Sequence, residues 1–224
     1  MKWKTGISLK ALIFDMDGVL VDSMPYHATS IKNVFDAIGV KMDKQDIYDL
    51  EGSQTIEIVR YLLEKGQDTS KIYDPGEIVL MYREEFNRIS ELKTFDAMPE
   101  CLAILKKRFL LAVVSGADRN IVHHIIDKMF PHIFDVVITG EDITKGKPAP
   151  DPFLKALETL DIDKSECIVI ENAMMGVESA KRAGLYCVAV PVYIDKSKLR
   201  SADLIINNHE ILIKYLLDLN FSGK

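Results

Sequence analysis

Acidic, hydroxyl and basic side chains follow several short apolar runs of this 224-residue chain. The polar segments are Asp15-Met16-Asp17-Gly18, Ser115-Gly116-Ala117, Thr139-Gly140-Glu141-Asp142 and Glu171-Asn172, and Lys147 lies in a Pro-rich loop before the last of them. Clustered carboxylates repel one another unless a cation is present, and Mg²⁺ prefers oxygen ligands, water and phosphate. If the fold brings these segments together, they predict a magnesium site that also binds a phosphate group.

Short runs rich in Val, Ile and Leu are predicted to be the strands that position these residues. They cover residues 11–14, 110–114, 136–138, 167–170, 186–190 and 204–206. Helix-period segments at 119–128, 153–159 and 177–183 separate the later runs, and Gly184 is expected just past the end of the last helix. Apolar strands alternating with helices indicate an α/β fold with a doubly wound parallel sheet of the Rossmann-like type. Ligands of such sheets bind beyond the carboxyl ends of the strands, where the polar segments lie.

The connection between the first two predicted strands is unusually long, because it runs from Asp15 to Leu110. Most connections in α/β folds contain only a few residues. Residues 28–38, 55–63 and 77–89 carry apolar side chains at helical spacing, which predicts a small inserted all-helical cap. We therefore expect an α/β core of residues 1–21 and 93–224 and a cap domain of residues 22–92.

The composition is that of an ordinary globular protein, with 48% hydrophobic and 28% charged residues. A net charge of −6 argues against nucleic acid as a partner. The three cysteines form no Cys-x-x-Cys pair, which indicates reduced thiols rather than disulfides. No apolar run approaches the ~20 residues of a membrane helix. These features predict a cytoplasmic protein with no membrane partner, and we expect a monomer.

Four segments resemble, in order, the signatures of the haloacid dehalogenase-like (HAD) hydrolase superfamily. They are residues 14–23 around Asp15-Met16-Asp17-Gly18, then Val113-Val114-Ser115-Gly116, then Gly146-Lys147-Pro148-Ala149-Pro150-Asp151-Pro152, and finally Ile168-Val169-Ile170-Glu171-Asn172-Ala173 with Gly176 and Ala183-Gly184. The helical insert after the first signature is similar to that of the β-phosphoglucomutase and phosphoglycolate phosphatase-like subgroup. The resemblance implies a small phosphorylated metabolite as substrate.

The resemblance also implies catalytic and phosphate-binding roles. Asp15 would be the nucleophile and form an aspartyl-phosphate. Asp17 would act as general acid and base, a role that suits a carboxyl group whose pKa is raised by its environment. Ser115, Gly116 and Lys147 would bind the transferring phosphoryl oxygens.

The implied Mg²⁺ ligands are the Asp15 carboxylate, the Asp17 main-chain carbonyl and the Glu171-Asn172 segment. The family pattern is more often Glu-Asp, so Asn172 supplies an amide oxygen where a second carboxylate is common. Either Asn172 is a weaker direct ligand of Mg²⁺, or Glu171 contributes more of the coordination. We favour the first, with Glu171 helping through water or a hydrogen bond. Asn172→Asp is then expected to tighten Mg²⁺ binding.

Substrate contacts are predicted in the cap. His27 resembles the histidine that engages the acid/base aspartate, although a backbone hydrogen bond is an equally simple role for it. Gly52 and Thr55 lie in a segment that resembles the substrate-reading cap loop. The lysine and arginine with which sugar phosphomutases bind a second phosphate are replaced by Glu51 and Thr55. From the core, Arg119 either reaches the substrate or is a solvated helix residue.

These observations predict a Mg²⁺-dependent phosphatase acting on a sugar phosphate or a phosphoglycolate-like acid. A β-phosphoglucomutase-like phosphomutase is the enzymatic alternative. A signalling receiver shares an acid cluster, a hydroxyl and a lysine on a doubly wound sheet, but lacks the Asp-x-Asp spacing and the long insert. A non-catalytic phosphate-binding module is disfavoured by the intact set of Asp15, Asp17, Ser115 and Lys147.

Overall fold

The computed structural model describes residues 8–66 and 72–219, and its centre is one parallel sheet. The strands occur in the order β3-β2-β1-β4-β5-β6, and every neighbouring pair is parallel. They are β1 Ala11–Phe14, β2 Leu110–Val114, β3 Val136–Ile138, β4 Cys167–Glu171, β5 Tyr186–Ala189 and β6 Leu204–Ile205. The predicted doubly wound α/β architecture is confirmed, and each predicted strand is present within one residue of its expected ends.

The helices of the described ranges fall into an inserted group and a core group. The inserted group is α1 Met24–Ala37, α2 Lys44–Asp49, α3 Thr55–Lys65 and α4 Pro75–Ile89. The core group is α5 Met98–Leu105, α6 Arg119–Met129, α7 Asp151–Leu160, α8 Met174–Arg182 and α9 His209–Leu217. In the part of the chain that the structure describes, no helix combines the length and apolarity needed to cross a membrane.

The sheet is buried on both faces, which explains why its strands are nearly continuous apolar runs. Successive side chains of a strand point to opposite faces. Leu12 and Phe14 of β1 accordingly join one apolar cluster, whereas Ala11 and Ile13 join the other. Burying a large apolar side chain contributes about 1.5–3 kcal/mol. The central strands therefore form a rigid platform for the loops at their carboxyl ends.

The strand register brings the polar segments to the same edge of the sheet. Phe14 pairs with Val113 of β2 and with Ile170 of β4. Asp15 thus lies level with the last residues of both neighbouring strands. The backbone N–H of Ser115 donates to Ile138 O at 3.0 Å, which extends the β2–β3 ladder beyond β2.

The helical insert is anchored by two adjacent chain crossings. Val21 bridges Thr94, and the Asp22 N–H donates to Lys93 O at 2.9 Å. Within the insert, α1 packs against α4 and α2, and α4 also packs against α3. The buried face of α1 repeats at helical spacing through Met24, His27, Ala28, Ile31, Val34 and Phe35. His27 is therefore placed on the inward side of α1.

Several helices differ from the sequence prediction. The helix α1 begins at Met24 rather than at residue 28, because Pro25 occupies its first turn, where proline is tolerated. The helix α2 was not predicted, since six residues are too few to show a periodic pattern. The helices α5 and α9 were also not predicted. Gly184 follows the end of α8 with a φ of +77°, as expected for a C′ glycine.

Candidate active site

Asp15 follows β1 directly and is buried. Its backbone N–H donates to Ile170 O at 2.9 Å, so its position is fixed by the sheet. The Lys147 Nζ lies 2.5 Å from the Asp15 Oδ1. Burial raises the pKa of Asp15 to about 8, and the Lys147 charge opposes this rise. A cation beside the carboxyl group would favour its ionised, nucleophilic form.

Lys147 links Asp15 to the end of β4. Its buried ammonium donates to Glu171 Oε1 at 2.7 Å and to Val114 O at 3.0 Å. Burial alone would lower the pKa of Lys147, but the carboxylates of Asp15 and Glu171 outweigh burial and raise it. The Glu171 Oε2 accepts the backbone N–H groups of Asn172 (2.8 Å) and Ala173 (3.0 Å) at the start of α8. Both oxygens of Glu171 are therefore already engaged within the protein.

Asp17 lies two residues after Asp15 but contacts the insert. Its Oδ1 accepts from His27 Nε2 at 3.0 Å and from the Ser23 hydroxyl, and its Oδ2 accepts from Ser115 Oγ at 3.3 Å. Burial alone would raise the pKa of Asp17, but the His27 charge and the three hydrogen bonds outweigh burial and lower it. The expectation of a raised pKa at Asp17 was therefore wrong for this arrangement, because donors from insert and core converge on the carboxylate.

His27 is oriented by two aromatic residues of α4. Its Nδ1 lies 2.6 Å from the Tyr82 hydroxyl, and its ring stacks on Phe86 with centroids 4.3 Å apart. Burial raises the pKa of Tyr82 well above its ordinary value, so the hydroxyl keeps its proton. The Tyr82 hydroxyl therefore holds the imidazole from one side, and the Nε2 on the other side faces Asp17. His27 thus bonds to side chains, and the alternative of a backbone partner is not what the structure shows.

Gly116 allows the insert to approach the core closely. A Cβ atom on Gly116 would lie 2.4 Å from Gly52 O and 2.5 Å from Ser53 O. The loop between α2 and α3 therefore packs directly on the loop after β2. The neighbouring Ser115 Oγ accepts the Ala117 N–H at 3.1 Å, which fixes the serine side chain near Asp17.

Glu51, from the same α2–α3 loop, reaches the metal-binding segment of the core. Its Oε1 accepts from Asn172 Nδ2 at 2.6 Å, and both side chains are buried. Gly18 lies beside this contact with a φ of +77°, and a Cβ there would be 2.1 Å from Asn172 Nδ2. Burial raises the pKa of Glu51 well above its ordinary value, with the nearby carboxylates acting in the same direction. Two buried oxygens, Asn172 Oδ1 and Glu51 Oε2, have no hydrogen-bond partner within residues 8–66 and 72–219.

The oxygen donors of this site fit Mg²⁺. Within the described residues, no group of three His, Cys, Asp or Glu side chains is arranged to hold a metal ion. The ligand set that we predicted relies instead on Asp15, the Asp17 main-chain carbonyl and the Asn172 amide, and Mg²⁺ completes such sets with water and phosphate. The unpartnered Asn172 Oδ1 is available as a ligand, whereas the Glu171 oxygens are engaged. This difference favours Asn172 as the direct ligand.

A cavity of about 40 Å³ lies between the insert and the carboxylates. It is bordered by Asp15, Asp17 and Gly116 of the core and by three of the predicted cap contacts, His27, Gly52 and Thr55. Arg119, the fourth candidate, does not line it. The Arg119 guanidinium is half-exposed and binds Asp142 at 2.5 Å and Glu141 at 3.4 Å.

Three residues of the site neighbourhood were missed by sequence reasoning. Glu51 had been noted only as a substitute for a lysine, and Tyr82 and Arg83 lie within the periodic pattern of α4. Arg83 binds Asp118 and, at 3.1 Å, Glu141, so it ties α4 to the core. The replacement of a lysine by Glu51 in the substrate-reading loop was a usable signal. Tyr82 and Arg83 carry none, because their partners are distant in sequence.

The chain belongs to the haloacid dehalogenase-like hydrolases, because the family model of that description matches residues 12–190. It is an enzyme of this family, in the β-phosphoglucomutase-like subgroup. The β-phosphoglucomutase of Bacillus subtilis (strain 168) is 28% identical over 215 residues, which cover 93% of this chain and 94% of the relative.

Other similar proteins include a phosphatase and a protein whose structure was solved with phosphate. The fructose-1-phosphate phosphatase YqaB of Escherichia coli (strain K12) is 29% identical over 184 residues, covering 80% of this chain and 95% of the relative. The structure of CbbY from Rhodobacter sphaeroides in complex with phosphate has a TM-score of 0.79 at 25% identity and covers 88% of this chain and 93% of that one. Phosphatase and phosphomutase chemistry are thus both represented among the relatives.

Proposed function

We propose that this protein is a Mg²⁺-dependent phosphatase that hydrolyses a small phosphorylated metabolite, a sugar phosphate or a phosphoglycolate-like acid, through an aspartyl-phosphate. The observation that carries the proposal is the pairing of two buried carboxylates in different environments at the end of β1. Asp15 contacts the Lys147 ammonium, whereas Asp17 is held by His27, Ser23 and Ser115.

In the first half-reaction, an Asp15 carboxylate oxygen attacks phosphorus and the bond to the leaving alkoxide breaks. Lys147 neutralises negative charge on the phosphoryl oxygens, and the Ser115 hydroxyl donates to one of them. When bound through Asp15, the Asp17 carbonyl and Asn172, Mg²⁺ screens the repulsion between carboxylate and phosphate. A protonated Asp17 would donate to the alkoxide. Splitting the displacement into two steps lowers each barrier.

In the second half-reaction, water attacks the phosphorylated Asp15, and Asp17 accepts the proton of that water. The described arrangement suits this basic role, because the lowered pKa of Asp17 keeps its carboxylate ionised. His27 holds the carboxylate in place from the insert. Closure of the insert over the site therefore supports proton transfer.

Hydrolysis is favoured over phosphomutase activity by the chemistry of the cap loop. A mutase must hold a substrate with two phosphates. Glu51 places a carboxyl group rather than an ammonium group in the loop, and Thr55 supplies a neutral hydroxyl. Incubation with β-glucose 1-phosphate separates the two activities: release of glucose and inorganic phosphate without glucose 6-phosphate supports the proposal, and formation of glucose 6-phosphate contradicts it.

The reaction itself is tested with p-nitrophenyl phosphate. We expect turnover that requires Mg²⁺ and that falls by at least ~10³-fold in Asp15→Asn, because the amide cannot form the phosphorylated intermediate. Asp127→Asn is the matched control, since Asp127 is exposed on α6. Equal turnover of Asp15→Asn and wild type would exclude the mechanism.

The division into a core of residues 1–21 and 93–224 and a cap of residues 22–92 belongs to the same proposal. It is supported by the pairing of Asp22 with Lys93, where both crossings between core and insert lie side by side.

We further propose that the protein is cytoplasmic, as its composition indicates, and that it is a monomer.

A further inference from the structure

Glu51 of the insert and Asn172 of the core form a buried contact that joins the two parts of the molecule. The Asn172 Nδ2 donates to Glu51 Oε1 at 2.6 Å. Glu51 is 3% exposed and Asn172 is 1% exposed. An amide donates hydrogen bonds only through its nitrogen, so the Nδ2 end of Asn172 faces Glu51. The Asn172 Oδ1 is consequently turned away from Glu51.

Each partner of this contact retains one unsatisfied oxygen. Asn172 Oδ1 and Glu51 Oε2 are buried without a hydrogen-bond partner. Leaving a buried acceptor unsatisfied costs about 1–3 kcal/mol, and more for a charged group. Two such atoms on contacting side chains indicate that a group with positive charge, or its bound water, belongs beside them. Glu51 also borders the cavity that contains Asp15 and Asp17.

The charges around the cavity also indicate that a positively charged group belongs beside Glu51. Carboxyl groups of Asp15, Glu51 and Glu171 lie within interacting distance of one another, and Lys147 already binds two of them. Among the residues that the structure describes, the Asn172 amide is the one hydrogen-bond partner of the Glu51 carboxyl group. A buried carboxylate without a cation is unfavourable.

We propose that Glu51 supplies, from the insert, the carboxylate that Asn172 does not supply from the core, so that the two side chains act as one unit at the Mg²⁺ site. The unit rests on the proposed function, because it presumes the cation of that mechanism. Asn172 Oδ1 binds the cation, and Glu51 fixes the amide and accepts from a cation-bound water through Oε2. Glu51 is thus a positioning residue.

Because insert and core share the Mg²⁺ site in this proposal, closure of the insert and binding of Mg²⁺ are coupled. If Glu51 reaches the cation only when the insert is closed, closure tightens Mg²⁺ binding. By thermodynamic reciprocity, Mg²⁺ then favours closure by the same factor. A core-only metal site would lack this coupling.

Titration calorimetry with MgCl₂ alone tests the pair. We expect Glu51→Gln to weaken Mg²⁺ binding by about 10- to 100-fold, the usual effect of losing a group that orients a metal ligand. Glu64→Gln is the matched control, because it removes the same charge from an exposed position of the insert. In Glu51→Gln with Asn172→Asp, amide and carboxylate exchange places, and we expect affinity near the wild-type value.

The inference is overturned if Glu51→Gln binds Mg²⁺ as tightly as Glu64→Gln, or if the exchanged pair binds no more tightly than Glu51→Gln. If either result is obtained but turnover is still lost in Asp15→Asn, the proposed function stands and only the role of Glu51 is contradicted. A wild-type protein that binds no Mg²⁺ would instead overturn both. Hydrogen exchange of wild type adds a readout that needs no variant: Mg²⁺ should slow exchange in residues 50–55, and unchanged exchange contradicts the coupling.

Discussion

At the scale of single residues, Asp15 and Asp17 show how two carboxyl groups in one loop acquire different properties. Burial dominates at Asp15 and raises its pKa, whereas His27 and the hydroxyl donors prevail at Asp17 and lower its pKa. A pair with opposite shifts is a common basis for dividing roles between two acids. Here the division depends on the insert, because His27 and Ser23 lie beyond the end of the first core segment.

His27→Ala is predicted to lower kcat by about 10- to 100-fold, because Asp17 loses the donor that orients it for proton transfer. Steady-state kinetics with p-nitrophenyl phosphate and saturating Mg²⁺ measure the effect. His123→Ala is the control, since His123 is an exposed histidine of α6. Equal kcat values for the two variants would show that the contact is structural only.

The lowered pKa of Asp17 also predicts how stability depends on pH. A carboxyl group whose pKa is lower in the folded state stabilises the protein above its unfolded pKa, near 3.8, and this contribution is lost as the pH falls through the folded value. In His27→Ala the pKa of Asp17 should rise, which reduces the free energy of unfolding at pH 7 by about 1.4 kcal/mol per unit of rise, whereas the loss should be smaller at pH 3, below the unfolded pKa. Denaturant titrations at pH 3 and pH 7 test this. A loss that is equal at both pH values would contradict it.

The convergence of the core residues at one edge of the sheet was predictable from sequence, whereas the insert contacts were not. Asp15 and Ser115 directly follow apolar strands and Glu171 ends one, and parallel strands bring such positions to one edge. Glu51 and Tyr82 act on partners 121 and 55 residues away, respectively. Contacts of this kind depend on how the insert packs on the core, which the periodicity of a helix does not encode.

At the scale of elements, the α2–α3 loop is the part of the insert that docks on the core. Its Gln54 Nε2 donates to Gly140 O at 2.5 Å and to Ile143 O at 3.3 Å. Gly52 and Ser53 in the same loop lie against Gly116. The loop therefore contributes both a polar attachment and a close backbone contact beside the catalytic residues.

Gln54→Ala is predicted to raise KM several-fold by weakening closure of the insert. A hydrogen bond contributes about 0.5–1.5 kcal/mol net, which corresponds to a change of roughly 2- to 13-fold. Gln45→Ala is the control, because Gln45 is an exposed glutamine of α2 that bonds only to its own helix. If both variants keep the wild-type KM, Gln54 has no part in closure.

The fold was more predictable in its strands than in its helices. A strand buried on both faces needs an apolar residue at every position, so β1, β2 and β4 are visible as uninterrupted runs. The helix α2 has six residues and only one buried side chain, Ile47. Its position is determined by contacts with α1 and by its Asp43 cap rather than by an apolar stripe.

At the scale of the whole molecule, the described arrangement is a closed one. The cavity of about 40 Å³ over the carboxylates has room for about three water molecules, at one probe sphere each. A sugar phosphate does not fit into that space. We therefore expect the insert to move away to admit substrate, about the adjacent chain crossings at Val21–Thr94 and Asp22–Lys93.

The balance of charge in the closed site predicts that Mg²⁺ and phosphate bind cooperatively. Asp15, Asp17, Glu51 and Glu171 are buried together, with Lys147 as the buried lysine among them. Without a divalent cation, these carboxyl groups oppose entry of an anion, because charge interactions are strong where water is excluded. Bound Mg²⁺ supplies positive charge that offsets these carboxyl groups and attracts the anion. Each ligand should therefore increase the affinity of the protein for the other.

Thermal unfolding with MgCl₂, with potassium phosphate and with both measures this coupling. A ligand at 100 times its Kd adds about 2.7 kcal/mol of stability, which for a chain of this size raises Tm by roughly 5 to 10 °C. We expect Mg²⁺ alone to raise Tm, phosphate alone to have little effect, and the combination to exceed the sum of the two. Potassium chloride at equal ionic strength controls for screening. Equal stabilisation by phosphate with and without Mg²⁺ would show that Lys147 suffices and that the acids do not require a cation.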